Sequence, residues 1–261
     1  MNVKTIVPDN SVSLFVKNIL TIESNNLDLN ILPFYADGYP GIMFQETDNG
    51  LYVLPQNKKM PDFFIYGQTI HPIELQIEGK YKLIVFQLYP FVIESFFDIN
   101  PQTLNNNCYD LIKMRNFDIE KEISKLKKKS NFTEWTRVIT DLLFSIFQTQ
   151  KETLDYKIQQ GILQIVDNNG LQTIKQLREL LNISERTFER RFLAQVGITP
   201  KQFSKIIQFQ SSLNDLQDKD FNKLTDIVYK NGFADQSHFI RVFKAFTGIT
   251  PSSFNIKSKY I

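Results

Sequence analysis

GITPKQF at Gly197–Phe203 returns as GITPSSF at Gly248–Phe254, with only two differences in seven positions. The chemistry of this string is specific. A glycine just past a helix takes the left-handed conformation that other residues resist. Two residues on, a threonine hydroxyl can cap the next helix, and proline fits its first turn, where no amide donor is needed. The string therefore encodes helix, sharp corner, helix, and the chain writes it twice.

The repetition extends upstream at the same offset of 51 residues. Phe188, Arg190 and Phe192 match Phe239, Arg241 and Phe243, and Phe203 matches Phe254. Ser184 matches Asp235, and both are good N-cap residues. Ile174 and Leu177 match Leu224 and Ile227 at an offset of 50, so the second copy carries one inserted residue near Gly232. Each copy reads as a short helix, a tight turn and a capped second helix, which is the pattern of a helix-turn-helix. One face of each second helix is apolar: Phe188 and Phe192 in the first copy, Phe239, Val242 and Phe243 in the second. The opposite face shows Arg186, Glu189 and Arg190, then Ser237, Ile240 and Arg241 with Gln236 and His238 beside them. Arginine and glutamine can form paired hydrogen bonds to base edges in the major groove. Two such helices in one chain would cover two neighbouring groove segments roughly 34 Å apart, a span that a single unit reaches only by dimerising.

The rest of the chain divides by periodicity. Residues 1–100 show short β-prone runs broken by Asp37-Gly38, Tyr39-Pro40-Gly41 and Asp48-Asn49-Gly50. Ile73, Leu75 and Ile77 alternate with Glu74, Gln76 and Glu78, the signature of a half-buried strand. A β-sandwich or barrel is the natural architecture. Residues 101–153 turn helical, with a broad apolar stripe of Trp135, Val138, Ile139, Leu142, Leu143 and Ile146. That stripe is core or a dimer seam. Lys127–Lys129 reads as a solvated helix end. Helices are expected over 156–168, 173–181, 185–195, 201–217, 223–231 and 236–246, with a last turn after Pro251. The fold class is α+β, with a domain boundary near 150–155.

Composition narrows the function. The 261 residues include one cysteine, two histidines and no apolar run of 18 or more. A lone thiol and the lack of a spanning or leader segment suggest a cytoplasmic protein with no membrane partner. Residues 154–261 carry 15 Lys/Arg against 10 Asp/Glu, whereas residues 1–153 carry 15 against 18. A basic half attached to an acidic half points toward a polyanion. Cys108, in NNNCYDL, has no cationic neighbour in sequence to activate it and reads as inert. No catalytic set or cofactor motif is found.

NISERTFERRFLAQVGITPKQF and IVYKNGFADQSHFIRVFKAFTGITPSSF resemble the DNA-binding domain of the AraC/XylS family of bacterial transcription regulators. The likeness covers roughly residues 157 to 256. It implies an all-α domain of seven helices over 154–261, two helix-turn-helix units joined by one long helix (KQFSKIIQFQSSLNDLQ), and sequence-specific binding to promoter DNA. Carried over position by position, base contacts fall on Arg186, Glu189, Arg190, Gln236, Ser237 and Arg241, with Ser184, Glu185, Thr187, Asp235, His238 and Ile240 as flanking contacts. Glu189 departs from the commoner amide, and a carboxylate there favours a cytosine amino group. YPGIMFQ, FIYGQT and YPFVIESFF, in that order, resemble a cupin-like N-terminal domain of some of these regulators. In the family such a domain senses a small molecule or mediates dimerisation, and the regulator meets RNA polymerase. Cupin metal sites draw on several histidines; with only His71 and His238 present, no metal is expected. The competing reading is a cytoplasmic small-molecule- or protein-binding module whose helical half docks on a protein.

Overall fold

Ten strands and ten α-helices make up the residues described by the computed structural model, 1–149, 154–218 and 223–257. The alternating N-terminal segment forms two facing sheets. The first holds β1 (Asn2–Ile6), β2 (Val16–Ser24), β4 (Gly41–Thr47), β7 (Phe63–Tyr66), β9 (Tyr81–Leu88) and β10 (Cys108–Asp110), in the order β1-β2-β9-β4-β7-β10. The second holds β3 (Leu29–Phe34), β5 (Leu51–Leu54), β6 (Lys58–Lys59) and β8 (Ile73–Glu78), in the order β3-β8-β5-β6. Neighbouring strands pair antiparallel throughout. Leu75 and Ile77 are buried while Glu74 and Glu78 are exposed, as the alternation requires. The strand β10 lies beyond the expected end of the β-region: after α1 (Val92–Phe97) the chain returns to the sheet edge and pairs Cys108 with Tyr66.

The helices α2 (Ile119–Lys128) and α3 (Phe132–Thr149) cover one face of the larger sheet. The α3 stripe is fully engaged there. Trp135 is completely buried, its ring 4.9 Å from Phe44, and its indole N–H donates to the Leu126 carbonyl at 2.9 Å. Val138, Ile139, Leu142, Leu143 and Ile146 are buried with it. This stripe is therefore core within one chain and is not free to serve as a dimer seam. The lysines at the end of α2, before this stripe, do more than face water: Lys127 pairs with Asp62 at 2.7 Å and Lys129 with Glu134 at 3.7 Å.

Seven helices follow: α4 (Tyr156–Asp167), α5 (Ile174–Leu180), α6 (Glu185–Val196), α7 (Pro200–Asp218), α8 (Leu224–Lys230), α9 (Gln236–Thr247) and α10 (Pro251–Lys257). They match the expected spans to within a residue or so at each end. Residues 150–153, where the boundary was placed, lie outside the described residues. The apolar core, however, does not stop at that point. One continuous cluster runs from Phe15, Phe96 and Phe147 to Ile158, Phe188, Phe192 and Phe203. The helix α6 packs on α1 and on the turn Pro101–Leu104. A second cluster, with Met43, Leu51, Phe64, Leu75 and Ile77, fills the space between the two sheets, and a third, with Phe209, Phe233, Phe239, Phe243 and Phe254, belongs to the C-terminal helices.

The loop 35–40 forms the other part of the seam. The amide of Gln210 donates to the Ala36 carbonyl. Gly38 sits at φ 82°, where side chains are strained, and a Cβ there would also press on Ile207 Cδ1 of α7 at 2.9 Å. Between them, the Asp37 carboxylate accepts from the Tyr39 amide at 2.9 Å and from Gln87 Nε2 at 2.7 Å. Removal from water outweighs those bonds and pushes its pKa up to about 6. Between about pH 4 and 6 the folded chain thus keeps a proton that the unfolded chain has released, so stability falls as pH rises through that window. Asp37→Asn should remove this slope. At pH 7.5 the variant should be more stable than the parent by on the order of 1–3 kcal/mol, and at pH 4.5 the difference should shrink, as read from urea midpoints.

Candidate nucleic-acid interface

The two helix-turn-helix units realise their sequence repeat in side-chain geometry. In the first, the rings of Phe188 and Phe192 lie 5.5 Å apart, and Phe192 lies 5.7 Å from Phe203. In the second, Phe239 and Phe243 are 5.7 Å apart, and Phe243 lies 5.6 Å from Phe254. The same three aromatic residues hold the second helix of each unit against the helix that follows its corner.

Each second helix begins on a side-chain cap. The Ser184 hydroxyl accepts from the Thr187 amide at 3.3 Å and also bonds the Thr187 hydroxyl at 2.9 Å. The Asp235 carboxylate accepts from the His238 amide at 2.7 Å. Each helix ends on a left-handed glycine, Gly197 at φ 85° and Gly248 at φ 77°. Caps at both ends settle which residues face inward. Phe188, Phe192, Phe239, Val242 and Phe243 are buried.

The outward residues are those the sequence nominates. Arg186, Glu189 and Arg190 are exposed on α6, and Gln236, Ser237 and Arg241 are exposed on α9. Among the described residues, none of these three arginines has an ion-pair partner within 4 Å. Of the flanking set, Ser184, Glu185 and Asp235 are exposed, while Thr187, His238 and Ile240 are half-buried. Beside the caps Ser184 and Asp235, two more of these have structural duties: Glu185 faces Arg178 at 3.5 Å, and the His238 ring packs edge-on at 5.7 Å from Phe233. Arg191 is a cation that the charge balance counted but that is half-buried and engaged within the chain. It pairs with Asp155, the N-cap of α4, and so ties α6 to its own domain. Lys201, Lys205 and Lys244 are exposed cations that the pattern reading did not single out. Large exposed apolar residues in this half include Tyr156, Leu171, Leu180 and Tyr229; α6 and α9 contribute none.

The N-terminal domain grips the first corner but leaves the second open. Asn105 Nδ2 donates to the Gly197 carbonyl at 2.8 Å, and a Cβ at Gly197 would stand 2.8 Å from the Pro101 carbonyl. A Cβ at Gly248 would meet only Pro72 Cγ at 3.9 Å. A cleft of about 1160 Å³, lined by Ile31, Tyr35, Glu74, Ile249 and Phe254 among others, lies between the smaller sheet and the second unit.

Residues 177–255 match the model of a helix-turn-helix domain, and residues 4–110 match a domain of unknown function (DUF6597). An HTH-type transcriptional regulator of Staphylococcus aureus (strain MSSA476) is 25% identical over 210 residues, covering 74% of this chain and 27% of that protein. The chain thus spans about a quarter of the length of that relative. The HTH-type transcriptional regulator RipA of Corynebacterium diphtheriae is 38% identical over 76 residues, covering 29% of this chain and 22% of that protein. The crystal structure of ToxT from Vibrio cholerae O395 superposes over 99% of both chains with a TM-score of 0.50 at 13% identity, a likeness of fold.

The twin corners supply an internal control. Gly197→Ala and Gly248→Ala both place a side chain at positive φ, at a cost of about 1 kcal/mol or more. Only Gly197→Ala also collides with the Pro101 backbone. Urea unfolding should show it to be the more damaging of the two, and equal losses would mean that the N-terminal domain does not brace the first corner.

Proposed function

We propose that this chain, a member of the AraC family of helix-turn-helix regulators, is a sequence-specific DNA-binding transcription regulator that reads two adjacent major-groove segments with α6 and α9. The observation that supports this reading best is the pairing of opposite faces. Each helix buries its aromatics, is capped at both ends, and exposes unpaired arginine and amide or carboxylate groups. The 19-residue helix α7 separates the two units. At 1.5 Å per residue it spans about 28 Å, within reach of the spacing of one duplex turn.

The roles follow from the chemistry of each side chain. Arg186, Arg190 and Arg241 offer bidentate donors to guanine, Gln236 offers an amide to adenine, and Ser237 adapts to either. Glu189 accepts from cytosine and disfavours close phosphate approach, which narrows the choice of base. Ser184, Glu185, Thr187, Asp235, His238 and Ile240 set the ends and edges of the two footprints. Exposed Lys201, Lys205 and Lys244 contribute phosphate contacts and salt dependence. The N-terminal sheets supply the input, a small molecule held between them. RNA polymerase and a second copy of the chain are the remaining partners of this reading; since the α3 stripe is used internally, a dimer would form through another surface. Docking of α6 and α9 on a protein is disfavoured, because their outward faces lack the apolar patch that such docking needs.

Selection of bound fragments from a random duplex library, at stated salt, should return a two-part consensus with its halves one helical turn apart. Arg241→Ala should weaken binding to that site by about 1–3 kcal/mol and relax the preference at one position, with non-specific binding less affected. An equal loss on all sequences would reduce Arg241 to a phosphate contact, and the absence of any enriched sequence would overturn the regulator reading.

A further inference from the structure

The loop at residues 35–40 is fastened from two sides. From α7, Gln210 donates to the Ala36 carbonyl. From the sheet side, Gln68 Nε2 donates to the Gly38 carbonyl at 3.1 Å. A Cβ at Gly38 would stand 3.2 Å from Phe203 and 3.6 Å from Ile206, besides its contact with Ile207, so loop and helix touch without a gap. A shift of the loop is therefore felt by α7.

Asp37 sits in this contact with nothing to balance its charge. Its carboxylate accepts from the Tyr39 amide and from Gln87 Nε2, and Gln87 Oε1 in turn accepts from Asn18 Nδ2 at 3.4 Å. Among the described residues it makes no ion pair. The titratable groups that face it are Tyr39 on its own loop and Tyr66 on β7; Tyr39 also faces Tyr89 and Asp167, the last residue of α4. None of these is a cation. From α7 the loop meets Phe203, Ile206, Ile207 and Gln210, and the α7 lysines Lys201 and Lys205 are exposed.

A second observation gives this cluster another arrangement. The Tyr66 hydroxyl stands over Gly41 and faces Asp37, is buried, and has no hydrogen-bond partner. Gln68 Oε1, on the amide that holds Gly38, is likewise buried and unpaired. An unused donor beside a carboxyl marks a bond that the ionised form would make.

We propose that Asp37 is a proton-operated latch between the N-terminal sheets and the second helix-turn-helix unit: while the carboxyl is neutral the loop stays clamped on α7, and its ionisation lifts the loop and frees α7. The sign follows from burial. Enclosure raises the carboxyl to about 6, against the ordinary 3.8 of one that water or a donor hydroxyl can reach. The clamped form thus keeps a proton that the lifted form releases between about pH 4 and 6. Its advantage is complete below that window and is lost as pH rises through 6. The full bias is on the order of a hundredfold, of which roughly tenfold falls between pH 5 and 7.5.

Packing decides what the latch governs. The helix α6 is locked into the core it shares with the larger sheet, so any adjustment to DNA falls to the second unit. The 19-residue α7 spans about 28 Å, a little under one duplex turn, so seating α9 requires α7 to move. A clamped α7 opposes that movement.

Amide hydrogen exchange of the full chain, corrected for its intrinsic pH dependence, tests the latch without DNA. Protection over residues 203–210 should fall about fivefold from pH 5.0 to 7.5. Asp37→Asn, which cannot ionise, should hold it level, and Tyr66→Phe should move the fall to higher pH. Level protection in the parent chain, or a fall that Asp37→Asn retains, would overturn the latch. Control of DNA rests on the regulator reading and has its own arm. Affinity for the selected duplex should be at least about threefold tighter at pH 7.5 than at pH 5.0. It should be weak at both for Asp37→Asn and tight at both for Gln210→Ala, which removes the α7 fastening. Protonating His238 on α9 adds positive charge and acts in the opposite sense. Exchange that responds while affinity does not would overturn this control and leave the latch and the DNA reading standing. Failure to bind any duplex at either pH would overturn the regulator reading and leave the exchange result intact.

Discussion

The structure depends on one shared packing surface. The apolar cluster that packs α1–α3 on the outer face of the larger sheet continues without a break beneath the first helix-turn-helix unit, through Phe147, Ile158, Phe188 and Phe192, while the space between the two sheets is filled by a separate cluster. Burying such rings contributes on the order of 1.5–3 kcal/mol each. The helix α6 therefore cannot reorient without disturbing the core that also supports the larger sheet. Arg191 with Asp155, and Asn105 with Gly197, add directional contacts to that non-directional adhesion.

This surface breaks the symmetry of an internal repeat. The two units carry the same aromatic triplet at nearly the same ring separations, the same glycine corner and equivalent caps. Their surroundings differ. The first unit is braced by α1 and the Pro101–Leu104 turn, whereas the second closes its own core and faces a wide cleft. A change in the sheets would thus reach the first unit directly and the second chiefly through α7. The half-buried Asp37 sits on that second route, in the loop that leans on α7.

Most of the C-terminal half was legible in the sequence because its signals are local. Helix caps, corner glycines and apolar spacing act within a few residues, and every one of the seven expected helices is present at nearly its expected ends. Exposure of Arg190 and Arg241 also followed from spacing, since a helix that buries Phe188, Phe192, Phe239 and Phe243 must turn those arginines outward. What failed was reasoning that needed long-range contacts. The α3 stripe fits a dimer seam or a core equally well by periodicity alone. The strand β10 is only three residues long and carries too little alternation to be seen. The Lys58 ammonium that stands 3.4 Å from Cys108 Sγ comes from a separate strand, so no local spacing shows it.

Sequence alone determined the fold class, the duplicated helix-turn-helix and the residues that face outward on its second helices, because each is governed by interactions between residues a few positions apart. Only the tertiary structure decided that the two halves share a core, that one corner is gripped while the other stands free, and that Lys58 and Cys108 meet. Those outcomes depend on which surfaces exclude water together, and no local pattern encodes that.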